Sequence, residues 1–231
     1  RDLHSFPTRR SSDLVLIESE KGEETLEAEL TLVAVGFKPN SKGIGLEELG
    51  VETDKRGFVV VDDRMRTNIP GIWAIGDVTV KLLLAHTASS MGIICTENIA
   101  GKEPRTLDYR MIPRAVYSSP QVASFGYTEA QAKEAGFAVK VGKFNFQPNG
   151  KALGLGEYQG WVKIITDEKY GEILGATIVG PDASELLPEL VLAQANELTI
   201  EEIAHSVHAH PTLAEAVLEA AEAALGGAIH S

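Results

Sequence analysis

The chain has 231 residues, of which 44% are hydrophobic and 23% are charged, the usual mixture for a globular protein of one large or two modest domains. Its formal net charge of −12 argues against nucleic-acid binding, because acidic surfaces repel phosphate groups. No apolar run reaches the ~18 residues of a membrane helix, and a lone cysteine, Cys95, excludes an intrachain disulfide and fits a reducing compartment.

Residues 1–14 have the sequence RDLHSFPTRRSSDL, which lacks the apolar core of a secretory signal. The same peptide is obtained by translating a nucleotide string that resembles a common short-read sequencing adapter. We therefore expect residues 1–14 to be adapter-derived and non-native, and exclude them from the prediction of the fold. On this interpretation Val15 lies in the middle of a longer natural protein.

The part of the chain up to about residue 113 is expected to contain short strands and one helix. Four segments have the apolar or alternating pattern of strands: residues 15–20, 26–36, 57–62 and 72–75. Lys21-Gly22 predicts a turn between the first two. A helix is predicted over residues 85–100, because Gly101 is a natural C-terminal cap. The polar, proline-containing residues 101–113 predict a linker between two domains.

The rest of the chain is expected to combine an antiparallel sheet with helices. Five segments have strand character: residues 113–118, 121–127, 138–146, 160–167 and 172–180. Three helix starts carry a capping-box pair: Thr128 with Gln131, Asp182 with Glu185, and Thr199 with Glu202. A last helix is predicted to begin at Pro211 and to continue through the alanine-rich residues 212–225.

The stretch TNIPGIWAIGD, residues 67–77, ends a predicted strand in Gly76-Asp77 shortly before the helix start at Ala85-His86. An aspartate there can accept hydrogen bonds from sugar-like hydroxyls, and a helix start offers free N–H groups and a positive dipole end to an anion. This combination suits a flavin. From the spacing alone, however, a plain strand-to-helix loop with Asp77 as a cap is favoured, because a lone Gly-Asp is a weak signal.

The stretch SVHAHPTLAEA, residues 206–216, brings histidines close to a glutamate. An imidazole can take a proton near neutral pH, and a carboxylate on its other nitrogen fixes the tautomer, so His210 and Glu215 suit a general base with its orienting partner. Two alternatives remain open from these residues. His210 and Glu215 could serve only the helix start, or a metal could bind the set His205, His208, His210 and Glu215.

Several of these stretches together resemble the pyridine nucleotide–disulfide oxidoreductases. Residues 67–77 are similar to that family's second flavin-binding motif, and residues 33–40 to the end of its NAD domain. Residues 141–165 and 180–190 resemble its dimerisation domain. HAHPTLAEA resembles the dihydrolipoamide dehydrogenase branch in particular. Departures from the family pattern are Phe37 in place of a common arginine, Val80-Lys81 in place of a glycine-bearing stretch, and Thr87 in place of a common lysine.

The resemblance implies an α/β fold with two parts. Residues 15–108 would be the remnant of the NAD- and FAD-binding region, and residues 109–231 an α+β dimerisation domain with an antiparallel sheet flanked by helices. FAD would be bound by five residues of the flavin loop and helix start: Asp77, Leu83, Leu84, Ala85 and His86. Gly36 would approach NAD. No resident metal is implied.

The resemblance also implies a mechanism. His210 would be the catalytic base, Glu215 its partner, and the His210–Pro211 bond cis. Electrons would pass from dihydrolipoamide to a disulfide, to FAD and to NAD in a homodimer whose active site is shared across subunits. The larger partner would be the lipoyl-bearing acyltransferase of a 2-oxoacid dehydrogenase or a glycine-cleavage system, in the cytoplasm or, in a eukaryote, the mitochondrial matrix.

Two other functions remain open. The substrate could be glutathione, mercuric ion or a quinone, as in related flavoprotein disulfide reductases. Alternatively, the chain as given could be only a non-catalytic dimerising and docking module. Because a G-x-G-x-x-G dinucleotide motif is absent from the sequence, we expect the 231-residue chain alone to bind no FAD and to be inactive. Cys95 is expected to be a small buried hydrophobic residue.

Overall fold

The computed structural model of the chain describes residues 13–102 and 105–230. The strands in this part are β1 Asp13–Ser19, β2 Gly22–Ala28, β3 Arg114–Val116, β4 Gln121–Gly126, β5 Val139–Asn145, β6 Trp161–Asp167 and β7 Ile173–Gly180. The helices are α1 Ala85–Ile99, α2 Glu129–Glu134, α3 Gly150–Leu155, α4 Ala183–Ala195, α5 Ile200–His205 and α6 Glu215–Leu225, with a single-turn 3-10 helix at Gly76–Thr79.

β1 and β2 form an antiparallel hairpin whose turn lies between Ser19 and Gly22, as predicted. Of the segment expected to be adapter-derived, residues 1–12 lie outside the described residues, whereas Asp13 and Leu14 pair with β2. These two residues thus take part in the hairpin through backbone pairing, which needs no particular side chain.

The predicted strand over residues 26–36 is also wrong beyond Ala28, where β2 ends. The apolar side chains that follow are exposed, with Leu32 88% and Val35 94% accessible. An apolar run of this kind forms a strand only between neighbouring strands, and no strand of the described part lies beside it.

Residues 46–109 form two small apolar clusters around loops and α1. Val51, Val59 and Val61 pack together in one cluster, and Met65 packs with Met91 of α1 in the other. The predicted strands at residues 57–62 and 72–75 are wrong, since the structure forms only the isolated bridges Thr53–Val59 and Arg66–Trp73 there. Phe58, Val59 and Val61 are buried, but Val60 and Ile75 are each 41% exposed. The buried residues pack in loops rather than in a strand ladder.

The second half folds around one antiparallel sheet with the strand order β3-β4-β7-β6-β5. Helices α4, α5 and α6 cover one face and share a single core with the strands, in which Phe146, Ile164 and Leu190 are fully buried. The short helix α2 lies on the other face, where Ala132 packs on Ile165 and Leu174. The predicted combination of an antiparallel sheet with flanking helices is confirmed.

Two of the three predicted capping boxes are present, at Thr128–Gln131 and Thr199–Glu202. The third prediction is wrong, because Asp182 has a positive φ of 49° and its side chain caps nothing. Its carbonyl oxygen instead accepts the backbone N–H of Glu185 at 2.9 Å.

The last helix, α6, begins at Glu215 and not at Pro211 as predicted. Residues 211–214 form a turn before the helix. This delayed start places Glu215 in the first turn of α6, directly after the histidine loop.

Candidate functional site

His210 and Glu215 meet at the junction between the loop after α5 and the start of α6. The His210 Nδ1 lies 2.8 Å from Glu215 Oε1, and the His210–Pro211 peptide bond is cis, as predicted. Because an ionised carboxylate can only accept hydrogen bonds, Nδ1 carries a proton and donates a hydrogen bond to Glu215. In the neutral ring, Nε2 then holds the free lone pair. The His210 side chain is 76% exposed, and its Nε2 has no hydrogen-bond partner in the described part of the chain.

Thr212 holds this loop together through both its backbone and its side chain. Its N–H donates to Glu215 Oε2 at 2.8 Å, and its hydroxyl donates to the Ala209 carbonyl at 2.7 Å. Its own carbonyl accepts from the side-chain amide of the buried Asn149 at 3.0 Å. Both carboxylate oxygens of Glu215 are thus fixed, one by the base and one by the backbone, so the His210 ring is held in one orientation.

Asn149 connects the loop to a helix that was not predicted from the sequence. Its Oδ1 accepts the Ala152 N–H at 2.9 Å, which makes Asn149 the N-terminal cap of α3. A Cβ added to Gly150 would lie 4.0 Å from Cε1 of His210, so α3 begins directly beside the imidazole ring. The sequence signal for this cap was the asparagine before Gly150, but α3 is too short to show a helical period.

The pKa of Glu215 lies below its ordinary value. Partial burial acts to raise it, but the backbone N–H of Thr212 and the hydrogen bond to His210 outweigh that effect. Glu215 therefore stays an anion at neutral pH and can stabilise a protonated His210. The pair can accept a proton at Nε2 and hold it, which is the chemistry of a general base.

The other two histidines considered for a metal site lie apart from this pair. His208 bonds to Glu189 of α4 at 2.9 Å, and His205 is exposed at the end of α5. Within residues 13–102 and 105–230, no group of three or more His, Cys, Asp or Glu side chains is arranged to hold a metal ion. Each histidine of the H-x-H-P stretch instead has its own glutamate.

A further histidine–glutamate pair, not predicted from the sequence, ties down the C-terminal residues. Buried Glu219 of α6 accepts from the ring of His230 at 2.5 Å and from the backbone N–H groups of Ile229 and His230 at 3.2 Å each. Hydrogen bonding to Glu219 raises the pKa of His230. Burial acts to raise the pKa of Glu219, but the bonds from His230 and Ile229 outweigh burial and lower it.

The attachment of these C-terminal residues should depend on pH. The contribution of His230 is complete below the ordinary histidine pKa of about 6.5 and is lost as the pH rises through the raised value. The contribution of Glu219 is complete above the ordinary glutamate pKa of about 4.3 and is lost as the pH falls through the lowered value. Protection of the Ile229 and His230 amides against hydrogen exchange, corrected for intrinsic rates, should therefore be greatest between these limits. Glu219→Gln should flatten the profile, and a flat profile in the unmodified chain would contradict the assignment.

The predicted flavin loop packs against the start of α1. Gly76 has a φ of 71°, and a Cβ there would come within 3.3 Å of Ala88, so glycine allows the loop to approach the helix closely. Asp77 follows on the 3-10 turn with an exposed side chain. The structure thus brings Asp77 and the helix start to neighbouring positions, as the sequence predicted.

The helix start itself is free to receive a polar group. Leu84 precedes α1 without a side-chain cap, and the N–H groups of Ala85, His86 and Thr87 have no partner within the described residues. Leu83 and Leu84 are half-buried and offer an apolar wall, and the buried Thr87 hydroxyl is also unpartnered. A planar ring with a polar or anionic edge fits such a place, so the residues present fit a flavin.

Three other residues considered in the sequence analysis do not line the free N–H groups at the start of α1 with their side chains: His86, Gly36 and Cys95. His86 Nε2 donates to the Pro113 carbonyl at 2.8 Å, so its ring connects α1 to the residue before β3. Gly36 lies in exposed irregular backbone with nothing within 4 Å of the position of an added Cβ. Cys95 is buried in α1 as expected, and burial raises the pKa of its thiol.

None of the helices in the described residues is both long enough and apolar enough to span a bilayer.

Comparison with known proteins places these observations in one family. The profile of the pyridine nucleotide-disulphide oxidoreductases matches residues 7–92, and the profile of their dimerisation domain matches residues 112–221. The dihydrolipoyl dehydrogenase of Corynebacterium glutamicum is 52% identical over 96% of this chain and 49% of its own length. The enzyme of the same name from Bacillus subtilis is 49% identical over 91% of this chain and 45% of its own. The chain thus spans about half the length of these relatives.

Solved structures of flavoprotein disulfide reductases and related proteins also resemble this chain. LpdA from Mycobacterium tuberculosis superposes with a TM-score of 0.83 at 29% identity, covering 90% of this chain and 45% of that protein. The HOCl-induced flavoprotein disulfide reductase RclA from Escherichia coli superposes with a TM-score of 0.80 at 27% identity, covering 88% and 47%. Family profiles, relatives and structures agree with the resemblance seen in the sequence: the chain belongs to the pyridine nucleotide–disulphide oxidoreductase family.

Proposed function

We propose that this chain is the carboxy-terminal part of a dihydrolipoamide (dihydrolipoyl) dehydrogenase, which oxidises dihydrolipoamide to lipoamide and reduces NAD. The carrying observation is the His210–Glu215 pair, whose Nε2 is exposed and whose Nδ1–H is fixed by a carboxylate. High identity to dihydrolipoyl dehydrogenases supports the choice of substrate. We also propose a division into a cofactor-binding part, residues 15–108, and a dimerisation domain, residues 109–231.

His210 would act as the base for the substrate dithiol. A thiol with a pKa of about 8.5 is mostly protonated at neutral pH, and only its thiolate attacks a disulfide. The lone pair on His210 Nε2 would take the thiol proton, while Glu215 stabilises the resulting imidazolium through Nδ1. Over the whole reaction the two thiols lose two protons and two electrons, and NAD gains two electrons and one proton.

FAD and NAD are the cofactors that membership of this family implies. When bound, FAD carries electrons between the thiols and NAD. Asp77 would accept hydrogen bonds from the hydroxyls of the cofactor chain, and the N–H groups of Ala85 and His86 would face the polar edge of the ring. Leu83 and Leu84 would exclude water beside it. Gly36 would leave room for the nicotinamide nucleotide.

The base is proposed to serve the partner subunit of a full-length enzyme that carries this chain. Cys95, the single cysteine, is buried in α1 and cannot form an intrachain disulfide. His210, by contrast, is exposed on the surface of the domain that matches the family's dimerisation domain. We propose a homodimer of the full-length enzyme, in which each His210 reaches the partner subunit's redox disulfide. That disulfide would lie in the half of the enzyme that this chain does not cover. The acyltransferase core of a 2-oxoacid dehydrogenase or glycine-cleavage system is the proposed larger partner, and bacterial relatives support a cytoplasmic site.

The substrate assignment can be tested on a full-length enzyme carrying this chain. We expect NADH formation with dihydrolipoamide, and little turnover when glutathione disulfide, mercuric ion or a quinone is offered with NADH. A preference for any of these three would replace the proposed substrate while leaving the family unchanged. Absence of a flavin absorbance spectrum from the purified full-length protein would instead support a dimerising and docking module without catalysis.

A further inference from the structure

The second histidine–glutamate pair involves the H-x-H-P stretch and consists of His208 and Glu189. His208 lies two residues before the proposed base, His210. His208 is only 7% exposed, in contrast to the 76% of His210 two residues later. Its Nε2 lies 2.9 Å from Oε1 of Glu189 on α4, and its Nδ1 lies 3.0 Å from the carbonyl oxygen of Ser206. The ring therefore connects the middle of α4 to the C-terminal cap of α5.

Both ring nitrogens of His208 face oxygen atoms that can accept hydrogen bonds. A backbone carbonyl cannot donate, and neither can an ionised carboxylate. A neutral imidazole has one donor and one acceptor nitrogen, so it could satisfy only one of these two partners. Both contacts are hydrogen bonds when Nδ1 donates to Ser206 and a second proton lies between Nε2 and Oε1 of Glu189, on either the ring or the carboxyl.

We propose that the hydrogen-bonded pair of His208 and Glu189 positions the catalytic base, because it anchors the segment leading to His210 to α4. This inference rests on the proposed function, since it assigns a role within the same site. It gives His208 and Glu189 roles that differ from that of His210, because neither touches the substrate.

The anchoring follows from the short distance along the chain. Only Ala209 separates His208 from His210, and the Ala209 carbonyl is itself held by the Thr212 hydroxyl. Val207, on the other side of His208, is 99% exposed and has no packing to hold it. The His208 side chain is thus the interior attachment of residues 206–209, whereas Asn149 and Thr212 hold the residues that follow.

The pair also affects the catalytic glutamate. Burial acts to raise the pKa of Glu215, whereas Thr212, His210 and, last in order, a protonated His208 act to lower it. The titratable groups around His208 are Glu189 from α4 and Glu215 from α6. An anionic Glu215 keeps the His210 Nδ1–H oriented. The anchoring by His208 and its effect on Glu215 therefore both favour one orientation of the His210 ring.

The kinetic test uses full-length holoenzyme and neutral replacements. His208→Gln keeps a donor near Glu189 but loses the bond to Ser206, and Glu189→Gln keeps an acceptor but loses the carboxyl group. Each is expected to lower kcat for dihydrolipoamide oxidation, counted per bound flavin, about 10–100-fold, as a displacement of roughly 1 Å would, with KM little changed. The double variant should lose no more than the worse single variant, because the two residues act as one unit. His205→Gln, an exposed histidine on α5, is the matched control and should keep wild-type kcat.

Wild-type kcat per flavin in both variants, with loss confined to protein yield, would show a purely structural role and overturn the proposal. Independent losses that multiply in the double variant would overturn it as well. A second readout does not depend on activity. In the 24.8 kDa chain labelled with 15N-histidine, the buried His208 ring should show an N–H proton that exchanges slowly with solvent. A His208 ring proton that exchanges as fast as that of the exposed His205 would overturn the anchoring. If the wild-type enzyme failed to oxidise dihydrolipoamide, the proposed function would fall while this spectroscopic result would still decide the anchoring.

Discussion

Replacing His210 by glutamine in the full-length enzyme is expected to lower kcat for dihydrolipoamide oxidation about 10²–10⁴-fold, the usual cost of losing a general base. The glutamine amide can still donate toward Glu215, so the loop should keep its shape. It cannot take up a proton, however, and the substrate thiol would have to ionise unaided. Steady-state kinetics with dihydrolipoamide and NAD, counted per bound flavin, measure the effect.

Glu215→Gln separates the two members of the pair. Its Oε1 or Nε2 can still face His210, but it no longer stabilises the protonated ring. We expect a smaller loss than for His210→Gln, and no further loss when both changes are combined, because residues that act as a unit are not additive. Turnover of His210→Gln near the wild-type rate, beside an unaffected His205→Gln control, would mean that another group takes the thiol proton.

A large loss of stability is expected for Gly142→Ala in β5. A Cβ at this position would lie 1.9 Å from the carbonyl oxygen of Ala220 and 2.8 Å from Cβ of Ala224, both in α6. Because the obstacle is helix backbone, α6 would have to move away from the sheet. We expect the free energy of unfolding to fall by about 3 kcal/mol or more, measured by urea denaturation of the purified chain.

Gly154→Ala is the matched control for this change. Gly154 lies within α3 with nothing within 4 Å of an added Cβ. Alanine there should raise the stability by about 0.5–1 kcal/mol, because it restricts the unfolded chain and favours the helix. Equal stabilities for Gly142→Ala and the unmodified chain would show that β5 and α6 are not in the close contact described.

Features that depend on neighbouring residues were predictable from the sequence. The capping boxes at Thr128 and Thr199 are local patterns, and both helices begin where those patterns indicated. The helix ending before Gly101 and the approach of Glu215 to His210 likewise depend on residues only a few positions apart. The capping box predicted at Asp182 is absent, because the chain enters α4 through a positive φ that the sequence pattern does not reveal.

Several features that depend on residues far apart in the chain were not predictable from the sequence. The apolar residues 57–62 and 72–75 have the composition of strands, but a strand exists only where another strand lies beside it. The pairing of His208 with Glu189 joins residues 19 positions apart, and the contact of Asn149 with Thr212 spans 63 positions. Such contacts follow from how the helices pack on the sheet, which periodicity along the chain does not encode.

The exposed apolar run after β2 determines how this chain should behave in concentrated solution. Residues 30–37, LTLVAVGF, contain no charged residue and no proline, and are rich in the residue types that favour extended pairing. The two edge strands of the five-stranded sheet are less prone to pair with other chains than residues 30–37. β3 has only three residues, and β5 carries Lys140 and Lys143. Aggregation of the isolated chain would therefore start at residues 30–37 and not at the folded sheet, and a lysine introduced at Val33 would act as a gatekeeper there.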